Sequence, residues 1–214
     1  MDLSRISLRS LTGEGIGELP EFQAPPADPL ELANRWISRA IEHGVREAGS
    51  FALATADGAG VPSNRFVLIK GFDQRGLLFV SQTVSRKGAD LAANPHACAS
   101  FYWQELRQQL HLAGEVAPID PAESDALFAA RPLASQAGAA VSRQDDELTD
   151  GHAFNAEVQR IIAAGRRVER PDRWIGYRLA PSRIEFWQGE AHRLHRRLEY
   201  VRHGASWSWR RLQP

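Results

Sequence analysis

The chain has 214 residues, of which 43% are hydrophobic, with 26 cationic and 26 anionic side chains and no net charge at neutral pH. That length suffices for one sizeable core, and the charge balance disfavours a dedicated nucleic-acid binder, which usually shows a net basic domain or stripe, and a polybasic membrane-surface module. The single cysteine, Cys98, has no CxxC partner, no stretch approaches a membrane span and Met1 to Pro20 holds no apolar run of signal-peptide length, so a cytoplasmic protein is expected.

Residues 1–27 are rich in Gly and Pro and read as an extended arm; residues 28–214 read as one domain. Asp28-Pro29 is a helix start, with Leu32, Trp36, Ile37, Ala40 and Ile41 on one face and Gly44 as its end. Strands then dominate: 51–55, a turn at Asp57-Gly58, 64–70, a second turn over 71–76, and 77–81. A short helix is predicted over 87–93, then strands over 97–103 and 108–118. Asp120-Pro121-Ala122-Glu123 has the pattern of a capping box opening a helix to about residue 130. Residues 131–150 read as loop and 152–164 as helix; strands return over 174–179, 183–187, 194–202 and 207–212. Hairpins prevail and strands do not alternate with helices, which predicts a mainly β protein, an antiparallel barrel with peripheral helices.

GxGxxG, P-loop, HExxH and GxSxG motifs are all absent. Asp145-Asp146-Glu147 reads as a solvated acidic loop and no metal site is expected. Cys98 reads as a small core residue, and most of the six tryptophans as packing residues. Lys70 and Lys87 are the only lysines among 26 cations. Lys70 closes Arg65-Phe-Val-Leu-Ile-Lys70, and Lys87 sits in Ser85-Arg-Lys-Gly88 at a helix start. A compact ammonium is not interchangeable with a guanidinium fork, so both lysines are candidates to face an anion. In Phe186-Trp-Gln-Gly189 and Arg193-Leu-His195-Arg-Arg197, a strand through Leu194 would set Arg193, His195 and Arg197 on one face. Such a cluster of cations is costly unless an anion or an electron-rich ring lies against it.

Those segments, with Leu91-Ala-Ala-Asn-Pro95, Phe101-Tyr-Trp103, Gln108-Gln109, Ala130-Arg-Pro132 and Ser135-Gln136, resemble in order the flavin-dependent pyridoxine/pyridoxamine 5'-phosphate oxidases and their relatives. The resemblance spans roughly residues 28–214. It implies an FMN-binding split antiparallel β-barrel, a homodimer with its sites at the interface, and an oxidase that passes a hydride from a small-molecule ring substrate to flavin and then to O2. By the same likeness Arg65, Arg86 and Lys87 would hold the FMN phosphate. Val67, Leu68 and Lys70 would lie along the flavin ring and Val80 and Ser81 near the ribityl chain. Gln109, Gln144, Trp187 and Arg197 would reach the flavin, some from the partner subunit.

On the substrate side, Lys70, Leu127, Arg131 and Ser135 match the phosphate-holding positions of the vitamin oxidases, with Leu127 standing where those enzymes carry a tyrosine. Arg193 and His195 match the residues that hold and orient the substrate ring. Other features resemble the sister group of phenazine-biosynthesis oxidases: Ser10-Leu-Thr-Gly13, Pro25-Pro-Ala-Asp-Pro29, Ser142-Arg-Gln144 and the terminal Leu212-Gln-Pro214. The favoured expectation is a late oxidation in phenazine biosynthesis. Oxidation of pyridoxine or pyridoxamine 5'-phosphate is the alternative, and a flavin-binding module without turnover is a second.

Overall fold

The computed structural model describes residues 11–214. Ser10 of the N-terminal motif, like the first ten residues of the arm, lies outside the described residues. Residues 11–19 have no regular structure, and Pro20–Phe22 form a single 3-10 turn. Helix α1 (Pro29–Glu42) starts as its sequence dictates, with Asp28 Oδ1 accepting from the backbone N–H of Leu30 at 2.8 Å and Pro29 in the first turn. Its face of Leu32, Ala33, Trp36, Ile37 and Ala40 is buried, and only Ile41 departs from the expected stripe, at 60% exposure. Trp36 donates through Nε1 to the buried carboxylate of Glu21 at 2.6 Å, which pins the 3-10 turn beneath the helix.

Nine strands follow: β1 (Ser50–Ala56), β2 (Pro62–Leu68), β3 (Gly71–Asp73), β4 (Gly76–Gln82), β5 (His96–Trp103), β6 (Gln108–Pro118), β7 (Trp174–Gln188), β8 (Arg196–His203) and β9 (Ser206–Leu212). The helices between them are α2 (Arg86–Ala93), α3 (Pro121–Ala129), α4 (Leu133–Val141) and α5 (Gly151–Ala163). All pairings are antiparallel, in the order β2-β1-β5-β6-β7-β4-β3, with β8 and β9 branching from β7.

The expected barrel is therefore not formed: the hydrogen-bonded path ends on β2 at one side and β3 at the other, and the sheet is open. Within that path β7, read from sequence as two strands, is continuous. One edge of β7 pairs with β6 along its length, while the other is divided, Trp174–Leu179 to β4 and residues 183–188 to β8. Pro181, which has no N–H to give a ladder, sits at the division, opposite a register shift between Ala113 and Gly114. Gly114 permits the close approach, since a Cβ there would lie 2.1 Å from the Ala180 carbonyl oxygen. From β2 to β3 the chain makes isolated bonds, Ile69 N–H to Gly49 O at 2.9 Å and Lys70 N–H to Leu78 O at 2.8 Å, instead of a closing ladder.

Three further expectations are corrected. Residues 133–141 form α4 instead of loop, because Leu-Ala-Ser-Gln-Ala-Gly-Ala-Ala-Val is rich in the strongest helix former. The turn read over 71–76 contains the short strand β3. The capping box at Asp120 is half made: Asp120 caps Ala122 N–H at 2.7 Å, but Glu123 is drawn to Arg178, 3.0 Å away.

One face of the sheet forms the core with Phe51, Leu53, Phe79, Phe101, Leu110, Leu112, Ile184 and Phe186, all fully buried. The opposite face, carrying Tyr102, Gln109, His111, Glu185 and Trp187, is left half-exposed, and Cys98 belongs to this face and not to the core. Among the described residues no helix is long and apolar enough to cross a membrane.

Candidate functional site

The residues singled out from sequence fall into three clusters. The first is the N-terminus of α2. The fully buried Ser85 caps it, accepting from Gly88 N–H at 3.3 Å and donating to Gln82 O at 2.7 Å. Gly88 is obligatory, as a Cβ would stand 2.4 Å and 2.5 Å from the carbonyl oxygens of Gln82 and Thr83. Lys87 Nζ reaches Ser85 Oγ and Gln144 Oε1, each at 3.1 Å. Burial lowers the Lys87 pKa, the Asp145 carboxylate opposes that shift, and the nearby Arg65 cation adds to it.

Arg65, in β2, donates to Thr55 Oγ1 at 2.7 Å and to Ser63 Oγ at 2.5 Å, and stands 3.7 Å from the buried Asp90. Asp90 in turn accepts from both hydroxyls, at 2.7 and 2.5 Å; these bonds, with Arg65, hold its carboxyl below the usual carboxylate range. The seat so formed already binds an anionic oxygen. Asp145 Oδ2 accepts from the backbone N–H of Arg86, the first residue of α2, at 2.6 Å. Two backbone N–H groups at a helix start, an ammonium and two guanidiniums suit a terminal phosphate. The loop bearing Gln144 and Asp145 is fixed by the buried Gln82, which donates to Ser142 O at 3.0 Å and accepts from Gln144 N–H at 3.0 Å. Arg173 donates to the carbonyls of Ala140 and Ser142.

The second cluster lies on the half-exposed sheet face. Strand register sets Gln109 beside Trp187 and Trp187 beside Arg197. Arg197 makes a bidentate ion pair with Glu185, at 2.6 and 3.1 Å, which raises its pKa. The His195 ring packs on Trp187 with centroids 4.8 Å apart, and its Nδ1 accepts from Glu190 N–H at 3.2 Å. The predicted strand through Leu194 is not formed, so Arg193, His195 and Arg197 do not share a strand face. β8 begins at Arg196, and Arg193 lies exposed in a turn closed by its own N–H to Glu190 O at 3.0 Å, with φ +62°. The arm approaches this loop: Arg107 binds the Gly13 carbonyl, and a cavity of ≈ 560 Å³ lies between Glu14, Arg107, Gln188, His192, Leu194 and Arg196.

The third cluster joins Val80 and Leu127 to Phe128 and Trp174. Arg131 lies over the Trp174 and Phe128 rings, at 5.2 and 5.8 Å, and its Nη1 is buried without a partner among the described residues. Ser135, half-buried, lies in the first turn of α4 with its N–H on Pro132 O at 2.9 Å. Strand alternation in β2 turns Val67 toward the core and Leu68 outward, Lys70 is exposed beyond the end of that strand, and Ser81 is buried with its Oγ 3.4 Å from Ser85 Oγ.

Sequence reasoning missed Thr55, Ser63, Gln82, Asp90 and Arg173. The available signals were an acid three residues after Lys87 in a short helix and a glutamine ending an apolar strand. The first two clusters are separate within one chain. Arg65 projects to the core face and Trp187 to the opposite face, on strands four steps apart along the hydrogen-bonded path.

Residues 37–164 match the family model of pyridoxamine 5'-phosphate oxidase, and residues 174–214 match that of the pyridoxine 5'-phosphate oxidase C-terminal dimerisation region. The chain is 39% identical to the dihydrophenazinedicarboxylate synthase of Burkholderia lata, over 100% of both chains. It is 46% identical to the pyridoxine/pyridoxamine 5'-phosphate oxidase of Paraburkholderia phymatum, over 93% of this chain and 94% of that one. Among solved structures, PhzG from Burkholderia lata 383 in complex with tetrahydrophenazine-1-carboxylic acid superposes with a TM-score of 0.92 at 38% identity, covering 94% of this chain and 100% of that one.

Proposed function

The chain belongs to the pyridoxamine 5'-phosphate oxidase family of FMN-dependent oxidoreductases, and from that premise we propose that it oxidises a partly reduced phenazine carboxylate, using O2 as final acceptor. The observation that carries this choice is Leu127. Its side chain joins an apolar wall with Val80, Phe128 and Trp174, and a Cβ on Gly176 would meet Leu127 Cδ1 at 3.4 Å. That wall offers no hydroxyl to a phosphate ester and suits a flat, extended ring.

FMN, when bound, supplies a two-electron acceptor that O2 can reoxidise. Arg65, Lys87 and the N–H groups opening α2 hold its phosphate, with Gln144 completing the seat. Trp187, Gln109 and Arg197 serve its ring. Because these two sets lie on opposite faces of one chain, each site takes its parts from two copies, and the protein works as a homodimer. The half-exposed face, with Phe66 at 78%, Tyr102 at 55% and Leu68 at 53%, is the surface a second copy covers.

Arg193 supplies the cation for a substrate carboxylate. In the neutral His195 ring, Nδ1 is the acceptor of Glu190 N–H, so the proton sits on Nε2 and is available to the substrate. Residues 28–214 act as one FMN-binding unit, in the cytoplasm, with the arm over the 189–195 loop.

A second reading, oxidation of pyridoxine or pyridoxamine 5'-phosphate, is favoured by Arg131, whose unpartnered buried Nη1 would welcome a phosphate. The test is kcat/KM of the holoprotein for a reduced phenazine carboxylate against pyridoxine 5'-phosphate. The phenazine substrate should win, and Leu127→Tyr should raise the phosphate substrate's value by about tenfold through one hydrogen bond to a charged group. A clear preference of the unmodified protein for pyridoxine 5'-phosphate would select the second reading.

A further inference from the structure

On the half-exposed sheet face, His111 stands one alternation along β6 from Gln109 and opposite Ser100 of β5. His111 Nε2 is 3.0 Å from Gln109 Oε1, and its Nδ1 is 2.9 Å from Ser100 Oγ. An amide carbonyl only accepts, so Nε2 carries the hydrogen; the bare Nδ1 of the neutral ring then accepts the Ser100 hydroxyl. Burial lowers the His111 pKa, with Glu185 opposing and Arg197 adding to the shift, which keeps the ring neutral near pH 7. Glu185, across the strand from His111, is engaged by Arg197 through both oxygens and does not compete for the imidazole. With Oε1 taken, the NH2 of Gln109 is the free end of the amide, with no partner among the described residues, beside Trp187.

We infer that His111 is a positioning residue that fixes the Gln109 amide so that it presents donors, not its carbonyl, to the flavin ring. This rests on the reading of Gln109 as a flavin contact. A ring that gains negative charge on reduction is held more tightly by a donor than is the oxidised ring, so the fixed amide favours the reduced state. Without His111 the amide is free to turn, and its carbonyl can face the ring.

The test is the two-electron midpoint potential of FMN-loaded variants. His111→Leu should lower the preference for reduced over oxidised flavin by about tenfold, a shift of about 30 mV to more negative potential. His111→Gln, whose amide nitrogen can take the place of Nε2, should restore most of it. Gln109→Leu should shift the potential in the same direction, and adding His111→Leu to it should produce no further change. Should His111→Leu fail to hold flavin, Ser100→Ala serves instead, since it keeps the ring but releases Nδ1; a smaller shift of the same sign is expected. An unchanged potential in His111→Leu, or in Ser100→Ala where that is the variant read, overturns the inference if Gln109→Leu does shift it. An unchanged potential in Gln109→Leu removes the flavin contact itself, and the inference with it.

Discussion

Asp145 occupies the seat assigned to the FMN phosphate, and Asp145→Asn should tighten cofactor binding while weakening the empty protein. Its carboxylate takes the Arg86 N–H at 2.6 Å and lies in the field of Lys87 and Arg65. A bond from a helix-start N–H to an exposed carboxylate is worth about 1 kcal/mol, and binding a phosphate gives it up. Asparagine keeps the shape and tolerates the left-handed φ of +72° at this position, but carries no charge to hold the seat or repel a dianion. The two effects together correspond to about 1–2 kcal/mol, or roughly 5- to 30-fold in Kd. Flavin-fluorescence titration of the apoprotein reads the affinity, and melting curves with and without FMN read the two stabilities. The apoprotein should melt lower than the parent and the loaded protein should not. Equal or weaker binding by Asp145→Asn would refute the placement of the phosphate at α2.

Gly88→Ala should destabilise the fold by about 1–3 kcal/mol, since the new methyl overlaps the Gln82 and Thr83 carbonyls, and should reduce flavin retention as α2 shifts; thermal melts and flavin content check both. Asp90 has a folded-state pKa below its unfolded value of about 3.9, so its stabilisation is present above that pH and is lost as pH falls through the folded value. Melting temperature followed downward from about pH 5 should therefore fall less steeply in Asp90→Asn than in the parent protein. Phe66→Glu places a charge on the exposed apolar face and should yield monomers that do not retain FMN. Sedimentation should show the change, and a flavin-loaded monomer of the parent protein would contradict the two-copy site.

Most elements follow from local rules, because the signals for them are short in range. Asp28-Pro29 and Ser85 cap their helices through side chains two or three residues away, and β6 spans the range its alternation predicts. The cations of the phosphate seat were legible for the same reason, as Arg86 and Lys87 open the helix that Ser85 caps. Residues 133–141 were misread because Pro132 before the stretch and Gly138 within it read as loop signals and masked the helix preference of its alanines.

What only the tertiary structure decided is where distant segments meet. The branching of the sheet follows from how β7 divides its edge between β4 and β8 around Pro181, a choice made by partners more than ninety positions away in one case and about a dozen in the other. Turn geometry at Arg193 withdrew it from the strand face that a period of two had assigned to it. Thr55 and Asp90 converge on Arg65, and Ser100 on His111, through pairings of β1, β2, α2, β5 and β6. Periodicity tells which face of a strand a side chain takes, but the neighbours on that face are set by long-range register, which a single sequence does not encode locally.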